Sequence, residues 1–469
     1  MLDTRHFGRE FAVKLLAAID NLDETLDGVC FQSENFQALQ LMQELCRGGV
    51  KCVYTDPPFN TSEASLLYNN EYRHSSWLAM IQQVIIPCRS LLNDESVVAI
   101  AIDDFEKDHL GKCLDQVFTP AGRLGTLVVE IKPSGRTNDR FFATSHEYYH
   151  FFGLPSSTAE IAFFPLSEEV KQQYGETDEE GAHKWRDFLR TGGFSTPEER
   201  PNSYYAIYYN PDLNEARLDP FDGAVEIFPI DSEGKKRVWR KTPPSFLDHY
   251  NKGEIKFERR NSGKWKVLII DRIKEGVRPK SVWIGSKYDA ASHGTKLLKK
   301  LFGESEFGFP KALGATQDVV FCAMGDHDSG NVVDFFAGSG TTGHAVINLN
   351  REDGGGRKYL LVEMGEHFDR VLVPRLKKVV YSTDWREGKP QNRSTGISHA
   401  FKIVRLEGYE DALNNLRLKR TPEQEAALHA APEKARDQYL LGYFLDVESA
   451  GSASLLDLDQ FRDPFAYKL

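Results

Sequence analysis

The chain has 469 residues, 41% hydrophobic and 27% charged, with a formal net charge of −11. That length exceeds one ordinary core and predicts two or three domains, while no apolar run approaches the roughly 20 residues that span a bilayer. Six cysteines without a Cys-x-x-Cys pair argue for reduced thiols in a cytoplasm and against a zinc site, and no signal-peptide core is visible at the amino end.

The first thirty residues read as helix, with Phe11, Leu15, Leu16, Ile19 and Leu22 at helical spacing, and form an accessory segment. From 31 to 153 strand and helix alternate. A short strand at Cys30–Gln32 precedes a helix from Asn35 to Cys46 and an apolar strand over 50–54. Helices are expected over 77–92 and 105–118, a strand at 97–102, and β-rich segments at 124–131 and 148–153. That rhythm predicts an α/β fold with a largely parallel sheet covered on both faces.

The strand at 50–54 runs into Asp56, Pro57, Pro58, Phe59 and Asn60. Neither proline has an N–H, and each disfavours helix in the residue before it. A stiff extended turn therefore presents carbonyls and one carboxylate at a strand's end, with Phe59 as a flat wall. Such a cluster suits a planar ring bearing an exocyclic amine: carboxylate and carbonyl accept its two N–H bonds, and the ring stacks on Phe59. The plainer reading is a strand-terminating turn with a capping Asp. The stretch resembles the catalytic motif of the amino-methyltransferases, which methylate the exocyclic nitrogen of adenine or cytosine in DNA. The Asp at 56 resembles the adenine-N6 members, where cytosine-N4 members more often carry Ser.

Between the β-rich segments lies a polar loop, 132–147, with Arg136 and Arg140. It resembles the family's loop over the target base, and DNA contact is expected of it. Residues 154–300 break the α/β rhythm. Between Lys235 and Lys280 stand fifteen Lys or Arg and five Asp or Glu, so a local positive field exists despite the acidic total. Aromatics at Tyr204, Tyr205, Tyr208, Tyr209, Trp239, Phe257 and Trp265 are interleaved with it, which suits a groove for DNA. A solvated basic face is the bland alternative. By position the segment resembles the family's target-recognition insert, with Lys235, Lys236, Arg237, Arg259 and Arg260 as phosphate contacts.

Phe307 to Lys311 resembles the family's cofactor-side helix entrance, which places Lys311 with the cofactor. A second strand over 332–336 then meets Gly338-Ser-Gly-Thr-Thr-Gly343, a tight turn that lets backbone approach a ligand before a helix. The following strand, 359–363, ends in Glu363, placed to bind two ribose hydroxyls or to cap a helix. Asp334, Phe336, Gly338, Gly340 and Thr341 resemble the S-adenosylmethionine loop of DNA methyltransferases. A helix follows within 364–390, then a strand near 379–382. The tail reads as a strand at 401–406 and helices around 409–416 and 422–444, a packing or assembly surface.

Catalytic motif before the insert and cofactor loop after it is the order that resembles the beta class of amino-methyltransferases. Segments 135–147, 199–205, 361–366 and 409–416 resemble the modification subunits of type III restriction systems. Those subunits continue past a Pro-Phe-x-Tyr-Lys-Leu segment, where this sequence ends at 464–469.

The resemblance implies a Rossmann-like S-adenosylmethionine-dependent sheet in two halves, 31–153 and 301–390. An inserted target-recognition domain at 154–300 and a mainly helical tail at 391–469 complete it. Adenine is expected to flip out of double-stranded DNA and be methylated on N6, with S-adenosylhomocysteine as the other product and no metal in the transfer. The resemblance also implies a homodimer, a nuclease or helicase partner, and a prokaryotic cytoplasmic setting without membrane contact. Cytosine-N4 methylation is the alternative within the same chemistry. A catalytically silent DNA-binding subunit is the alternative of another class, and a nicotinamide dehydrogenase fits only the glycine loop.

Overall fold

The computed structural model describes residues 2–407 apart from 62–72, 138, 261–262, 305–306 and 326, together with 426, 430 and 432. The tail helix expected at 409–416 and the segment 464–469 lie outside the described residues, as does the helix expected at 422–444 apart from 426, 430 and 432. The chain divides into two compact units, Phe163–Arg278 and the remainder.

The larger unit is built on nine strands: β1 (Gly28–Gln32), β2 (Val50–Thr55), β3 (Leu92–Ile102), β4 (Arg123–Glu130), β5 (His146–Phe152), β6 (Val282–Trp283), β7 (Ser329–Asp334), β8 (Gly356–Glu363) and β9 (Phe401–Arg405). They form one sheet in the order β6-β4-β5-β3-β2-β7-β8-β1-β9. β5 runs antiparallel to β3 and β4, and the other neighbours are parallel. Every residue of β2 is buried, as a continuous apolar run requires when helices cover both faces. The larger unit's longer helices are α1 (Arg9–Ala17), α2 (Asn35–Leu45), α3 (His74–Cys88), α4 (Lys107–Phe118), α5 (Leu313–Met324), α6 (Thr341–Asp353) and α7 (Val373–Tyr381). Ile81 and Val84 of α3, Leu114 of α4, Val53 of β2, Ile100 of β3 and Phe335 share one apolar cluster.

The strand expected near 379–382 is instead the end of α7. Leu376, Val379 and Val380 are all buried there, an i, i+3, i+4 stripe that serves a helix and overrides the β preference of two valines.

One pairing positions the site. β2 and β7, nearly three hundred residues apart in sequence, lie side by side, with Val332 opposite Cys52 and Val333 opposite Val53. Chain direction diverges there: β2 leads by α3 to β3 on one side, and β7 leads by α6 to β8 on the other. This is a topological switch point, where open α/β sheets leave a crevice beyond the carboxyl ends of their strands.

The smaller unit is a set of antiparallel hairpins. Its four-stranded sheet runs Ile255–Arg259, Trp265–Arg272, Gly181–Asp187, Glu176–Asp178, and a three-stranded sheet is centred on Ile207–Asn210. Its limits are tighter than the 154–300 insert expected, because 282–283 joins the large sheet as β6.

The aromatics expected in a DNA groove mostly build this unit's core. Trp239 and Tyr209 are buried, Tyr209 stacks on Phe257 at 4.0 Å and meets the edge of Trp265 at 4.9 Å. Several of the cations are paired: Arg237 donates to Asp231 at 2.8 Å, Lys235 lies 2.9 Å from Glu233, and Arg260 lies 3.6 Å from Asp187. Lys236 and Arg259 are exposed. Among the described residues no helix is long and apolar enough to cross a membrane.

Candidate active site

The loops leaving β2 and β7 open into one cavity of about 710 Å³. Asp56, Pro57, Pro58 and Phe59 line it from the first loop, and Asp334, Phe336, Gly338 and Thr341 from the second. A volume of this order suits a drug-sized ligand and more. The two motifs thus meet, as the sequence requires of them.

On the β2 side, Trp77 of α3 donates its indole N–H to the Pro58 carbonyl at 2.7 Å, which fixes the turn. No donor is recorded on the Pro57 carbonyl among the described residues. Lys311, expected from the sequence beside the cofactor, lines this same cavity and faces the Asp56 carboxylate. Its Nζ lies 3.0 Å from Asp56 Oδ1 and 2.5 Å from Glu147 Oε2, and 4.3 Å from the centroid of the Phe59 ring. Tyr149 donates to the other Glu147 oxygen at 2.6 Å.

Burial pushes the Asp56 carboxyl up to about 6; Lys311 opposes that shift and Glu147 adds to it. Asp56 Oδ1 is shielded from solvent and has no aligned hydrogen-bond donor among the described residues. Lys311, 3.0 Å away, supplies the positive charge facing it. Asp103, also lining the cavity, is raised to about 6 by burial, against the Phe105 N–H and the Arg136 charge. Glu147 was not singled out as a site residue. Only its place on β5, an antiparallel strand two removed from β2, brings it to the cluster.

On the β7 side the backbone does the shaping. Gly338 and Gly340 have φ of +51° and +78°, left-handed values that glycine adopts without strain. A Cβ at Gly340 would lie 3.2 Å from Leu372 Cγ, and one at Gly343 would lie 2.7 Å from Leu376 Cδ2. The three glycines therefore serve turn, turn and helix packing. Asp334 accepts from the Phe336 N–H at 3.0 Å and from Thr342 at 2.5 Å. Burial raises its carboxyl to about 7, against those two bonds. It braces the loop.

Glu363 accepts from the Gly338 N–H at 2.9 Å and the Gly365 N–H at 2.7 Å, with His367 Nε2 3.2 Å from Oε1. A carboxylate offers about four lone-pair directions. Two of them take backbone N–H groups, so Glu363 anchors the glycine loop. Arg375 is fully buried and donates to Ser339 Oγ at 2.9 Å and Thr341 Oγ1 at 2.8 Å. In the sequence it reads as a helix-end cation; its role as the loop's inner pin shows only in three dimensions.

The 132–147 loop reaches the same cavity through Arg136. Arg140 is exposed, 5.1 Å over the Phe141 ring, and Phe141 and Phe142 are 82% and 90% exposed. Two adjacent bare phenylalanines on a loop that lines the cavity are an unusual surface.

At the switch point of this sheet a glycine loop adjoins an Asp-Pro-Pro-Phe turn across one cavity. The family model described as DNA methylase matches residues 50–373, and the chain belongs to that family. It is a DNA methyltransferase, and S-adenosylmethionine is the methyl donor of the family.

Among curated relatives, the type II methyltransferase M.KpnI of Klebsiella pneumoniae is 29% identical over 373 residues, covering 78% of this chain and 87% of that protein. The type III restriction-modification enzyme EcoPI Mod subunit of Escherichia phage P1 is 25% identical, covering 76% of this chain and 59% of the relative. The StyLTI Mod subunit of Salmonella typhimurium is 24% identical, with 75% and 54% covered. The chain therefore spans little more than half of those Mod subunits. Solved structures similar to it include the M1.HpyAVI–SAM complex (12% identity, TM-score 0.35, 74% of this chain and 98% of that one) and the cytosine-N4-specific PvuII DNA methyltransferase (12%, 0.37, 77% and 89%).

Proposed function

We propose that the chain methylates N6 of an adenine flipped out of double-stranded DNA, at a specific site, within a restriction-modification or related defence system. The observation that carries this reading is the shared cavity: a shielded Asp56 oxygen in need of a donor, a Phe59 wall beside it, and the glycine loop at the adjoining strand tip.

When bound, S-adenosylmethionine supplies an electrophilic methyl group; Phe336, Gly338 and Thr341 would hold it, on a loop pinned by Glu363 and Arg375. Asp56 and the Pro57 carbonyl accept the two N6 hydrogens, which favours a tetrahedral nitrogen with its lone pair free. Phe59 stacks on the adenine. Proximity and alignment supply most of the acceleration, and the Asp56 carboxylate stabilises positive charge developing on nitrogen and can take up the proton that N6 loses. Lys311 keeps that carboxylate ionised. Arg136, Arg140, Lys236 and Arg259 hold DNA phosphate, with the smaller unit as the recognition module. A homodimer, a restriction subunit as partner and a cytoplasmic setting follow from the likeness to Mod subunits.

Cytosine-N4 methylation uses the same geometry; Asp rather than Ser at 56 favours adenine. Asp56→Ala separates chemistry from binding. Labelled methyl transfer to DNA should fall by more than about a hundredfold, while equilibrium dialysis with S-adenosylmethionine stays within about threefold of the parent. Joint loss of both would remove Asp56 from the acceptor role.

A further inference from the structure

A second cluster of ligating side chains lies beside the turn that carries Phe59, and the cavity does not include it. Glu106 precedes α4, His109 is in its first turn, and His74 opens the neighbouring α3. Glu106 and His109 are three apart, so they share a face. The Glu106 side chain is fully buried, whereas the His74 and His109 rings are 48% and 41% exposed.

Glu106 Oε1 accepts from the Asn60 amide at 2.8 Å and lies 2.8 Å from His74 Nδ1. Its Oε2 lies 3.1 Å from His109 Nδ1, yet neither of those two shielded atoms has an aligned hydrogen-bond partner among the described residues. The three ligand atoms fall within 4.8 Å of one another, and the two imidazoles stack at 4.2 Å.

A buried carboxylate demands a compensating charge. The partners recorded here are an amide and two imidazoles, with no Lys or Arg among them. Two orphaned buried atoms 3.1 Å apart, flanked by a second imidazole, are what a missing cation between them would satisfy. We propose that His74, Glu106 and His109 form a site for a divalent transition ion of the zinc type. Two imidazole nitrogens and one carboxylate suit zinc, cobalt or nickel; magnesium and calcium prefer all-oxygen shells. Metal–ligand bonds of about 2.0–2.2 Å set neighbouring ligand atoms roughly 3.3 Å apart in a tetrahedron, and both Glu106–His separations are already close to that.

The open side of the two rings admits the ion and a water. The ion takes no part in methyl transfer. It ties the starts of α3 and α4 to Asn60, and so steadies the turn that ends in Phe59. The expectation of no zinc site rested on cysteine spacing, and this set uses no cysteine.

The test uses the full chain stripped with chelator and titrated with Co²⁺. Expected are a visible ligand-field absorption saturating at about one ion per chain, its displacement by Zn²⁺, and a higher melting temperature with Zn²⁺. The double variant His74→Ala/His109→Ala, and separately His109→Gln, should bind at least about tenfold more weakly, since even outer-shell losses cost that much, and should lose the melting shift. Both rings are half exposed, so the variants keep the core, and their retained S-adenosylmethionine binding verifies it. Absence of stoichiometric absorption in the parent chain, or equal Co²⁺ binding in parent and variants, overturns the proposal. Neither readout depends on which base is methylated.

Discussion

Asp56 is one carboxylate with two opposed neighbours, and that balance sets how the enzyme responds to pH. Its carboxyl is raised to about 6 by burial, held from rising further by Lys311, and pushed by Glu147. The acceptor role proposed for it needs the ionised form, so single-turnover methylation should fall as pH drops through about 6 and level off above it. Lys311→Met removes the opposing ammonium, Asp56 rises further, and the acid limb should move to higher pH by about one unit or more. A profile that keeps its midpoint while losing rate uniformly would place Lys311 elsewhere. Asp56-Pro-Pro-Phe59 is legible in the sequence, because an acid, two prolines and an aromatic ending an apolar strand each constrain the turn. The sequence could not show that Lys311 faces Asp56, since that contact joins segments some 250 residues apart and no spacing rule spans such a gap.

The glycine turn is an element whose shape is held from three sides: its own left-handed glycines, the Glu363 carboxylate and the buried Arg375 guanidinium. Gly340→Ala forces a Cβ at φ of +78° against Leu372. Strain of about 1–3 kcal/mol should weaken S-adenosylmethionine binding roughly five- to a hundredfold in a calorimetric titration, with little effect on DNA affinity. Arg375→Met leaves the Ser339 and Thr341 hydroxyls without their donor and should destabilise the fold by about 1–3 kcal/mol, read as a lower denaturant midpoint. Strand β2, strand β7 and the loop between β7 and α6 were legible, because apolar runs ending in acid and glycine have few other structures open to them. The end of α7 was not: Val379 and Val380 read as strand, and only the core beneath them makes the helical stripe visible. Glu363 reads in the sequence as a strand-end acid for ribose hydroxyls or a helix cap, and an acid that holds the amides of a neighbouring loop has the same sequence signature.

For the molecule as a whole, the acidic total hides a basic insert, and the insert in turn hides acids that neutralise part of it. Counting fifteen cations overstated the field, because Arg237, Lys235 and Arg260 each face a carboxylate, and the rings counted as base platforms are mostly the smaller unit's core. Exposed cations remain the better candidates for phosphate. Lys236→Ala and Arg259→Ala should each lower the slope of log affinity against log salt by about one, whereas Arg237→Ala should change it little. A reversed ranking would mean that the Arg237–Asp231 pair opens on DNA.

Two distant motifs, brought to adjoining strand tips, are proposed to deliver a methyl group to the exocyclic nitrogen of adenine. The most direct test is mass analysis of nucleosides from duplex DNA incubated with the chain and deuterated-methyl S-adenosylmethionine. N6-methyldeoxyadenosine carrying the label is expected, and should be absent with Asp56→Ala. Label in N4-methyldeoxycytidine, or none in DNA from a chain that still binds the donor, would contradict it.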